Sequence, residues 1–83
     1  MAKRQVKRNI IFSSFGKRLR ALRIARGLTP ARFSRVTGIN AETLKKYEAG
    51  KLEPKLVAIM VMAKALDVSH LELLDIDTDL DHR

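Results

Sequence analysis

Thr29-Pro-Ala-Arg-Phe-Ser-Arg-Val-Thr-Gly-Ile-Asn-Ala-Glu-Thr-Leu-Lys-Lys-Tyr-Glu48 is the stretch that decides the fold of this chain. It predicts two short helices bent around Gly38, a residue type that accepts the left-handed conformation of a tight turn. Thr29 can cap the first helix, and Pro30 suits its first turn because the missing N–H has no helical partner there. Asn40 can cap the second helix. The stretch therefore predicts a helix, a tight turn and a second helix.

The second of these helices has two different faces. Leu44 and Tyr47 recur at helical spacing and are expected to point into a core, while the opposite side carries polar and charged side chains. An apolar inner face with polar side chains outside, on a basic chain, is what the major groove of DNA accepts. This helix is therefore the candidate for contact with DNA.

Three further helices are predicted outside this stretch. The first covers about residues 14–26, with Ser13 or Ser14 as its cap, and the fourth covers about residues 55–66. The fifth begins at Ser69, where Ser69-His-Leu-Glu72 fits a capping box. The apolar residues expected to face the core from the first, second and fifth helices are Phe15, Leu19, Leu22, Phe33, Val36, Leu71 and Leu74. Since no alternating strand pattern precedes the C-terminal tail, the predicted fold is all-α with five short helices.

Charge is divided unevenly along the chain. The formal net charge is +8, but residues 1–66 hold 16 of the 17 Lys and Arg residues and three acids, a net charge of +13. Residues 67–83 hold one Arg and six acids, a net charge of −5. A basic body of this kind favours a polyanion through the release of counterions. Charge alone is equally compatible with an ordinary charged surface.

Composition and length set further limits. The 83 residues suffice for one domain with a small core. No cysteine is present, which excludes disulfides and thiolate metal sites and agrees with a reducing cytosol. The longest apolar run, residues 56–63, is much shorter than the roughly 20 residues that span a bilayer, so no membrane partner is expected.

Several short motifs match a known family in order and in spacing. They are Phe15-Gly-Lys-Arg-Leu-Arg-Ala-Leu-Arg23, Gly27-Leu-Thr29, Thr37-Gly-Ile-Asn40, Leu44-Lys-Lys-Tyr-Glu-Ala-Gly-Lys51, Pro54 and Ala63-Lys-Ala-Leu-Asp-Val-Ser69. Through them the chain resembles the lambda-repressor-like helix-turn-helix DNA-binding domains of the XRE family over residues 15–74. The resemblance implies a five-helix, lambda-repressor-like regulator of transcription that binds double-stranded DNA in a prokaryotic cytoplasm, in association with the nucleoid.

Charge and apolar content along the sequence predict three parts. Residues 1–12 are a basic N-terminal arm, which could be disordered, a short strand or a helical extension. Residues 13–76 form the helix-turn-helix domain, and residues 77–83 form an acidic tail. The sequence does not decide among the alternatives for the arm, and the tail has too little apolar content to be held firmly.

By this resemblance the helix over residues 41–48 is the recognition helix, and Ala41, Glu42 and Lys46 align with the base-reading positions of the family. Glu42 can accept a hydrogen bond from N4 of cytosine, and Lys46 can donate to O6 and N7 of guanine. Ala41 offers only a methyl contact to thymine. The alternative for Glu42 and Lys46, four residues apart, is a solvated ion pair on the helix surface.

Contacts with DNA phosphates are implied as well. The amide groups at the start of the helix over residues 30–37 should contribute, helped by the helix dipole. The side-chain candidates for backbone or flanking contacts are Lys17, Arg18, Thr29, Arg32, Asn40, Thr43, Lys45 and Lys51. The cations among them are equally well ordinary surface charges. Pro30 stands where the family often has a glutamine that binds phosphate, so one customary contact is lost.

Arg23 and Glu48 fall on positions that form a partly buried ion pair in many members of the family. Such a pair would join the first helix to the third and would fix their positions more than it would stabilise the fold. The alternative is that both residues are ordinary surface charges.

The fourth helix departs from the family pattern. Val57 and Val61 occupy positions that are usually polar, and they leave this helix apolar nearly all round. Because so small a domain cannot cover such a helix alone, we predict that both valines lie in a homodimer or partner interface. A tightly packed monomer core is the alternative. A two-fold dimer would present two recognition helices roughly 34 Å apart and would require a pseudo-palindromic operator.

No residue pattern indicates an enzyme. His70 and His82 are the only histidines, and neither a nucleophile-and-base pattern nor a glycine-rich phosphate loop accompanies them. We therefore expect no catalytic residue, metal, cofactor or small-molecule substrate. Repression of transcription is favoured over activation. The alternative function is an antitoxin-type or adaptor protein whose main partner is another protein, with the acidic tail and the apolar fourth helix as its candidate surfaces.

Overall fold

The computed structural model describes residues 8–74, except for the side chains at positions 8–10 and 12. Within that range the elements are α1 (Arg8–Ala25), α2 (Pro30–Thr37), α3 (Ala41–Glu48), α4 (Leu56–Ala65) and α5 (His70–Leu73). Residues 8–74 contain no strand. The predicted all-α architecture of five helices is therefore confirmed. None of the described helices is both long enough and apolar enough to cross a bilayer.

Helix α1 begins earlier than the sequence predicted. It has 18 residues and starts at Arg8, so the expected start near Ser14 is wrong. Ser13 and Ser14 lie inside the helix and do not cap it. For residues 8–12 the helical extension is the alternative that the structure adopts, and the proposed boundary between arm and domain falls within α1. Residues 1–7 of the predicted arm, the last two residues of the predicted domain and the whole predicted tail, residues 77–83, lie outside the described residues.

The helix-turn-helix unit, α2 and α3, has the caps that the sequence predicts. The Thr29 hydroxyl oxygen accepts a hydrogen bond from the Arg32 N–H at 3.1 Å, and the Asn40 side-chain oxygen accepts one from the Glu42 N–H at 2.8 Å. Gly38 ends α2 with a φ of 75°, and its N–H donates to the Ser34 carbonyl. The left-handed conformation explains the glycine, because other residues rarely adopt it.

The core lies where all five helices meet. Its fully buried side chains are Leu19, Phe33, Leu44, Met62, Leu66 and Leu73, and Phe15, Tyr47 and Ala63 complete it. Each helix contributes at least one of these residues, which is why none of the short helices has to be stable alone. Leu22 is half-buried and packs against the same cluster.

Three apolar residues do not point where the sequence predicted. Val36 is 58% exposed, because the inward face of the eight-residue α2 is filled by Phe33. Leu71 is 70% exposed and Leu74 is also exposed, whereas Leu73 is fully buried. Successive residues of a helix are rotated by about 100°, so with Leu73 directed inward Leu71 must face solvent.

The predicted capping box at the start of α5 fixes that rotation. The Ser69 hydroxyl oxygen accepts from the Glu72 N–H at 3.0 Å, and the Ser69 N–H donates to a Glu72 carboxylate oxygen at 3.3 Å. Just before it, Asp67 has a φ of 59° in the turn that follows α4. This is the left-handed conformation, which aspartate accepts more readily than most residues. The turn and the capping box thus direct Leu73 at the core.

Candidate nucleic-acid interface

The outer face of α3 carries exposed polar side chains. Glu42, Lys45 and Lys46 are exposed and share one side of the helix, while Ala41 and Thr43 are half-buried on either flank. Glu42 and Lys46 both lie within the described residues, and no salt bridge joins them. The structure therefore does not contain the surface ion pair that was the alternative for these two residues. The three charged groups are therefore available to a ligand that lies along this face.

Asn40 stands at the end of the same face. Its cap on α3 uses the side-chain oxygen, so the amide N–H groups of that side chain are left as donors. Since Asn40 is exposed, a phosphate could approach these donors without displacing the cap.

The inner side of α3 is tied to α1 by an ion pair between Arg23 and Glu48. Arg23 Nε donates to Glu48 Oε2 at 2.7 Å, and Arg23 Nη2 donates to Glu48 Oε1 at 3.2 Å. The two side chains are only 9% and 12% exposed. Arg23 Nη1 also donates to the Leu28 carbonyl at 2.8 Å. One guanidinium group therefore joins α1, the segment after it and the last turn of α3.

Gly16 provides a second contact with the same turn, and no role for it was predicted from the sequence. A Cβ atom added to Gly16 would meet the carbonyl oxygen of Glu48, and it would lie 2.6 Å from that of Tyr47. Real Cβ atoms do not come so close to backbone atoms, so only glycine fits here. The signal in the sequence was a glycine inside a helical pattern, since glycine disfavours a helix interior unless packing requires it.

The start of α2 offers fewer free amide groups than predicted from the sequence. Pro30 has no N–H, the Arg32 N–H is bonded to the Thr29 hydroxyl, and the Phe33 N–H is bonded to the Thr29 carbonyl. Within this first turn, residues 30–33, only the Ala31 N–H is not engaged inside the helix. A phosphate at this end of α2 would therefore meet one free amide group and the partial charge of a short helix.

Not all the predicted phosphate-binding side chains are free to bind a phosphate. Lys17, Arg32 and Lys51 are exposed, as a phosphate contact requires. Arg18 is half-buried, and its Nε donates to the Glu72 carbonyl at 2.7 Å, on the side of α1 that faces α5. Its assignment to the DNA backbone is therefore unsupported, because the group completes the C-terminal end of α5. Thr29 keeps its hydroxyl in the cap of α2.

Arg26 is another cation whose role the sequence did not reveal. Its Nε donates to the Leu66 carbonyl at 2.6 Å, and its Nη2 donates to the Asp67 carbonyl at 3.4 Å. Arginine side chains at the carbonyl end of a helix satisfy acceptors that have no partner within the helix. No local sequence pattern links residues 26 and 66, so this contact could be found only from the fold.

The apolar face of α4 differs in detail from the prediction. Val57 is 73% exposed, but Val61 is half-buried. The exposed apolar side chains near Val57 on the same helix are Leu56 and Met60. We call Leu56, Val57 and Met60 the α4 patch; the half-buried Val61 is not part of it.

Comparison with known proteins gives consistent matches. The family model described as a helix-turn-helix domain matches residues 14–75. The HTH-type transcriptional regulator YonR, derived from the SPbeta prophage of Bacillus subtilis, is 36% identical over 55 residues, which are 66% of this chain and 51% of YonR. The chain thus spans about half the length of that relative.

Two solved structures are similar over most of the chain. The restriction-modification controller protein C.AhdI from Aeromonas hydrophila has a TM-score of 0.73 and 35% sequence identity, covering 75% of this chain and 94% of C.AhdI. An HTH_3 family transcriptional regulator from Vibrio cholerae has a TM-score of 0.79 and 24% identity, covering 89% of this chain and 42% of that one. The second likeness concerns the fold alone.

Proposed function

The chain belongs to the helix-turn-helix domain family of DNA-binding transcriptional regulators, and from that premise we propose that it is a repressor that binds a pseudo-palindromic operator as a dimer. The observation that carries this proposal is α3: its inner side is fixed to α1 by Arg23 and Gly16, while its outer face is bare. A rigidly held helix with unengaged polar side chains is suited to the major groove. Such a regulator acts in the cytoplasm, at the nucleoid.

Base recognition is assigned to Ala41, Glu42 and Lys46, with Thr43 and Lys45 as flanking contacts. Lys46 donates to guanine, Glu42 accepts from the N4 group of cytosine, and Ala41 contacts a thymine methyl group. The exposure of Glu42 and Lys46 supports these roles, because neither side chain has to leave a salt bridge with the other.

Phosphate contacts are assigned to the exposed cations Lys17, Arg32 and Lys51, together with Asn40 and the Ala31 N–H. Lysine and arginine contacts fix the position of a protein on the duplex and make its affinity depend steeply on salt. Arg18 and Arg26 are left out of this set because their guanidinium groups bind carbonyl oxygens of the fold.

The α4 patch is proposed as the dimer interface. Its three apolar side chains are exposed on one helix, and the half-buried Val61 is one turn away from Val57. Exposed apolar patches of this kind commonly mark contacts between subunits.

A regulatory role is supported by the similarity to C.AhdI. That protein is a controller protein, and the similarity covers nearly its whole chain.

Selection of bound sequences from a random duplex pool tests the DNA-binding proposal. We expect an enriched, two-fold symmetric sequence. Lys46→Ala should relax the preference at one base position in each half-site, whereas Lys51→Ala should weaken all sequences evenly and lower the slope of log affinity against log salt by about 1. Lys55→Ala, another exposed cation, is the control. A pool that yields no enriched sequence contradicts the proposal.

Size-exclusion chromatography with light scattering tests the dimer. Val57→Glu places a charge in the α4 patch and should give a folded monomer. Ile24→Glu changes an apolar side chain of α1 that is also exposed, and it should leave the dimer intact. If both variants keep the mass of the wild-type dimer, the α4 patch is not the interface.

The second candidate function is an antitoxin-type or adaptor role, which the same exposed α4 patch favours. In that case a different protein, and not a second copy, would cover the patch. A stable complex with a protein encoded beside this one, lost in Val57→Glu, would support the adaptor. DNA affinity that falls steeply with salt and exceeds that for unrelated duplex supports the repressor.

A further inference from the structure

Helix α1 contacts the last turn of α3 at two points that lie two helical turns apart. Gly16, Leu19 and Arg23 recur at spacings of three and four residues, so they share one face of α1. Gly16 lies against the backbone of Tyr47 and Glu48, and Arg23 binds the Glu48 carboxylate. Leu19, between them, is fully buried. Both ends of this face of α1 therefore contact Glu48 of α3.

The contact at Gly16 is rigid. The atoms that a Cβ would meet are carbonyl oxygens and a carbonyl carbon, the last at 2.8 Å, and all belong to the backbone of α3. A flexible side chain could turn away, but a backbone can yield only if the helix moves. Glycine is also among the least favourable residues for a helix interior, so its presence at the middle of α1 agrees with a demand for close approach.

The contact at Arg23 fixes the orientation of Glu48 relative to α1. A guanidinium group that binds a carboxylate through two parallel N–H donors restricts both distance and orientation. Here the third nitrogen is held by the Leu28 carbonyl at 2.8 Å, so the group cannot follow Glu48 if α3 rotates. Together the two contacts determine the angle between α1 and α3.

A small change in that angle would displace the first turn of α3, at the opposite end of the helix. The helix has eight residues and is about 12 Å long, so a tilt of about 10° at its last turn displaces its first turn by about 2 Å. Hydrogen bonds to base edges tolerate only a few tenths of an ångström. Contacts with phosphates, made by long and flexible cations, tolerate much more.

We propose that Gly16 and Arg23 are positioning residues that set the orientation of the recognition helix, and that they thereby determine discrimination between the operator and other DNA. The inference rests on the proposed DNA-binding function and deepens it. Neither residue touches DNA. Their loss reduces affinity for the operator and leaves the affinity for unrelated duplex close to that of the wild type.

The test compares Gly16→Ala and Arg23→Lys with the wild type and with Ala65→Gly. The last variant weakens α4 by placing glycine in a helix that packs on α2 and α5, remote from the two contacts. Dissociation constants are measured for the duplex recovered by selection and for a scrambled duplex of equal length, at a temperature where circular dichroism shows each variant folded. The ratio of the two constants is the readout, since a merely structural role would not change it.

We expect the ratio to fall by about tenfold in Gly16→Ala and in Arg23→Lys, the discrimination that one base pair contributes, and to be unchanged in Ala65→Gly. Amide chemical shifts over residues 41–48 should move in the first two variants without DNA. If the wild type discriminates and both variants keep its ratio, the inference is overturned while the proposed function stands. If Gly16→Ala does not fold, the ratio for Arg23→Lys decides. A wild type that does not discriminate overturns the proposed function and this inference with it.

Discussion

Helices α3 and α4 are of similar length but are held in the fold by different means. Helix α3 has a side-chain cap from Asn40 and contributes Leu44 and Tyr47 to the core. Its last turn is fixed by Arg23 and by the backbone at Gly16. Helix α4 has no side-chain cap at its start. Apart from the bond that Arg26 donates to the Leu66 carbonyl at its end, it is held by apolar packing, through residues such as Met62 and Ala63.

The difference shows that burying a helix in the core and fixing its exact position are separate requirements. Apolar packing can hold α4 in the domain, but it is non-directional and does not by itself fix a helix to a fraction of an ångström. The ion pair and the close backbone approach at α3 are directional, and they leave its outer face free. We infer that the helix that must read a ligand is placed by directional contacts on its inner side, whereas the helix that fills the core is placed mainly by apolar packing.

Arg23→Ala should have the largest effect on this arrangement. Removing the guanidinium leaves the largely buried Glu48 carboxylate without its partner, and we expect the free energy of unfolding to fall by about 3 kcal/mol. Urea denaturation measures it. Arg20→Ala removes an exposed cation from the same helix and should change the value by less than about 0.5 kcal/mol. Equal losses in the two variants would mean that the pair does not hold α3.

Gly16→Ala should lower the free energy of unfolding by about 1–2 kcal/mol, because the added methyl group must push the last turn of α3 away. The direction of this change in the free energy of unfolding is decisive. In a helix without this contact the same substitution would raise stability by about 1 kcal/mol through helix propensity. Ala21→Gly, at an exposed position of α1, calibrates that propensity in the same denaturation experiment. A more stable Gly16→Ala protein would contradict the close approach.

Lys55→Ser should stabilise α4 by supplying the cap that it lacks. Lys55 is exposed and already has the extended backbone conformation of an N-cap residue, with φ −81° and ψ 164°. A serine hydroxyl there can accept from an N–H of the first turn, which is worth about 0.5–1 kcal/mol. Lys51→Ser loses the same charge outside any helix and serves as the control. An equal midpoint shift in both variants would assign the gain to charge alone.

Val57→Ser should have the smallest effect on the isolated subunit, less than about 0.5 kcal/mol, because the side chain is mostly exposed. Its effect on a dimer is different, since association adds to the stability of the folded state as concentration rises. We expect the melting temperature of the wild type to increase with protein concentration and that of Val57→Ser to stay constant. Parallel increases would show that α4 is not covered by a second copy.

The sequence was sufficient to predict those structural elements that neighbouring residues determine. The caps at Thr29, Asn40 and Ser69 and the turn at Gly38 follow from short patterns, and the structure has all of them. The extra turns of α1 before Ser14 were missed because two serines resembled a cap, while the helix continues through them. The orientation of Leu73 was missed because a helix of four residues has too short a pattern to define an inward face.

Contacts between distant parts of the chain divide into two kinds. The pair between Arg23 and Glu48 could be anticipated only from the family resemblance, because nothing local connects residues 25 positions apart. Neither the sequence nor the resemblance indicated the bonds from Arg18 and Arg26 to backbone carbonyls or the close approach at Gly16. Their partners are main-chain atoms, whose positions depend on the complete fold.

The bonds made by Arg18 and Arg26 have a consequence for how the domain unfolds. The carbonyl ends of α4 and α5 are completed by Arg26, directly after α1, and by Arg18, in α1. Neither α1 nor the last two helices can therefore detach without breaking these bonds. Unfolding should be a single cooperative transition, with amide protons of α1 and α4 exchanging at the same rate in the global opening event.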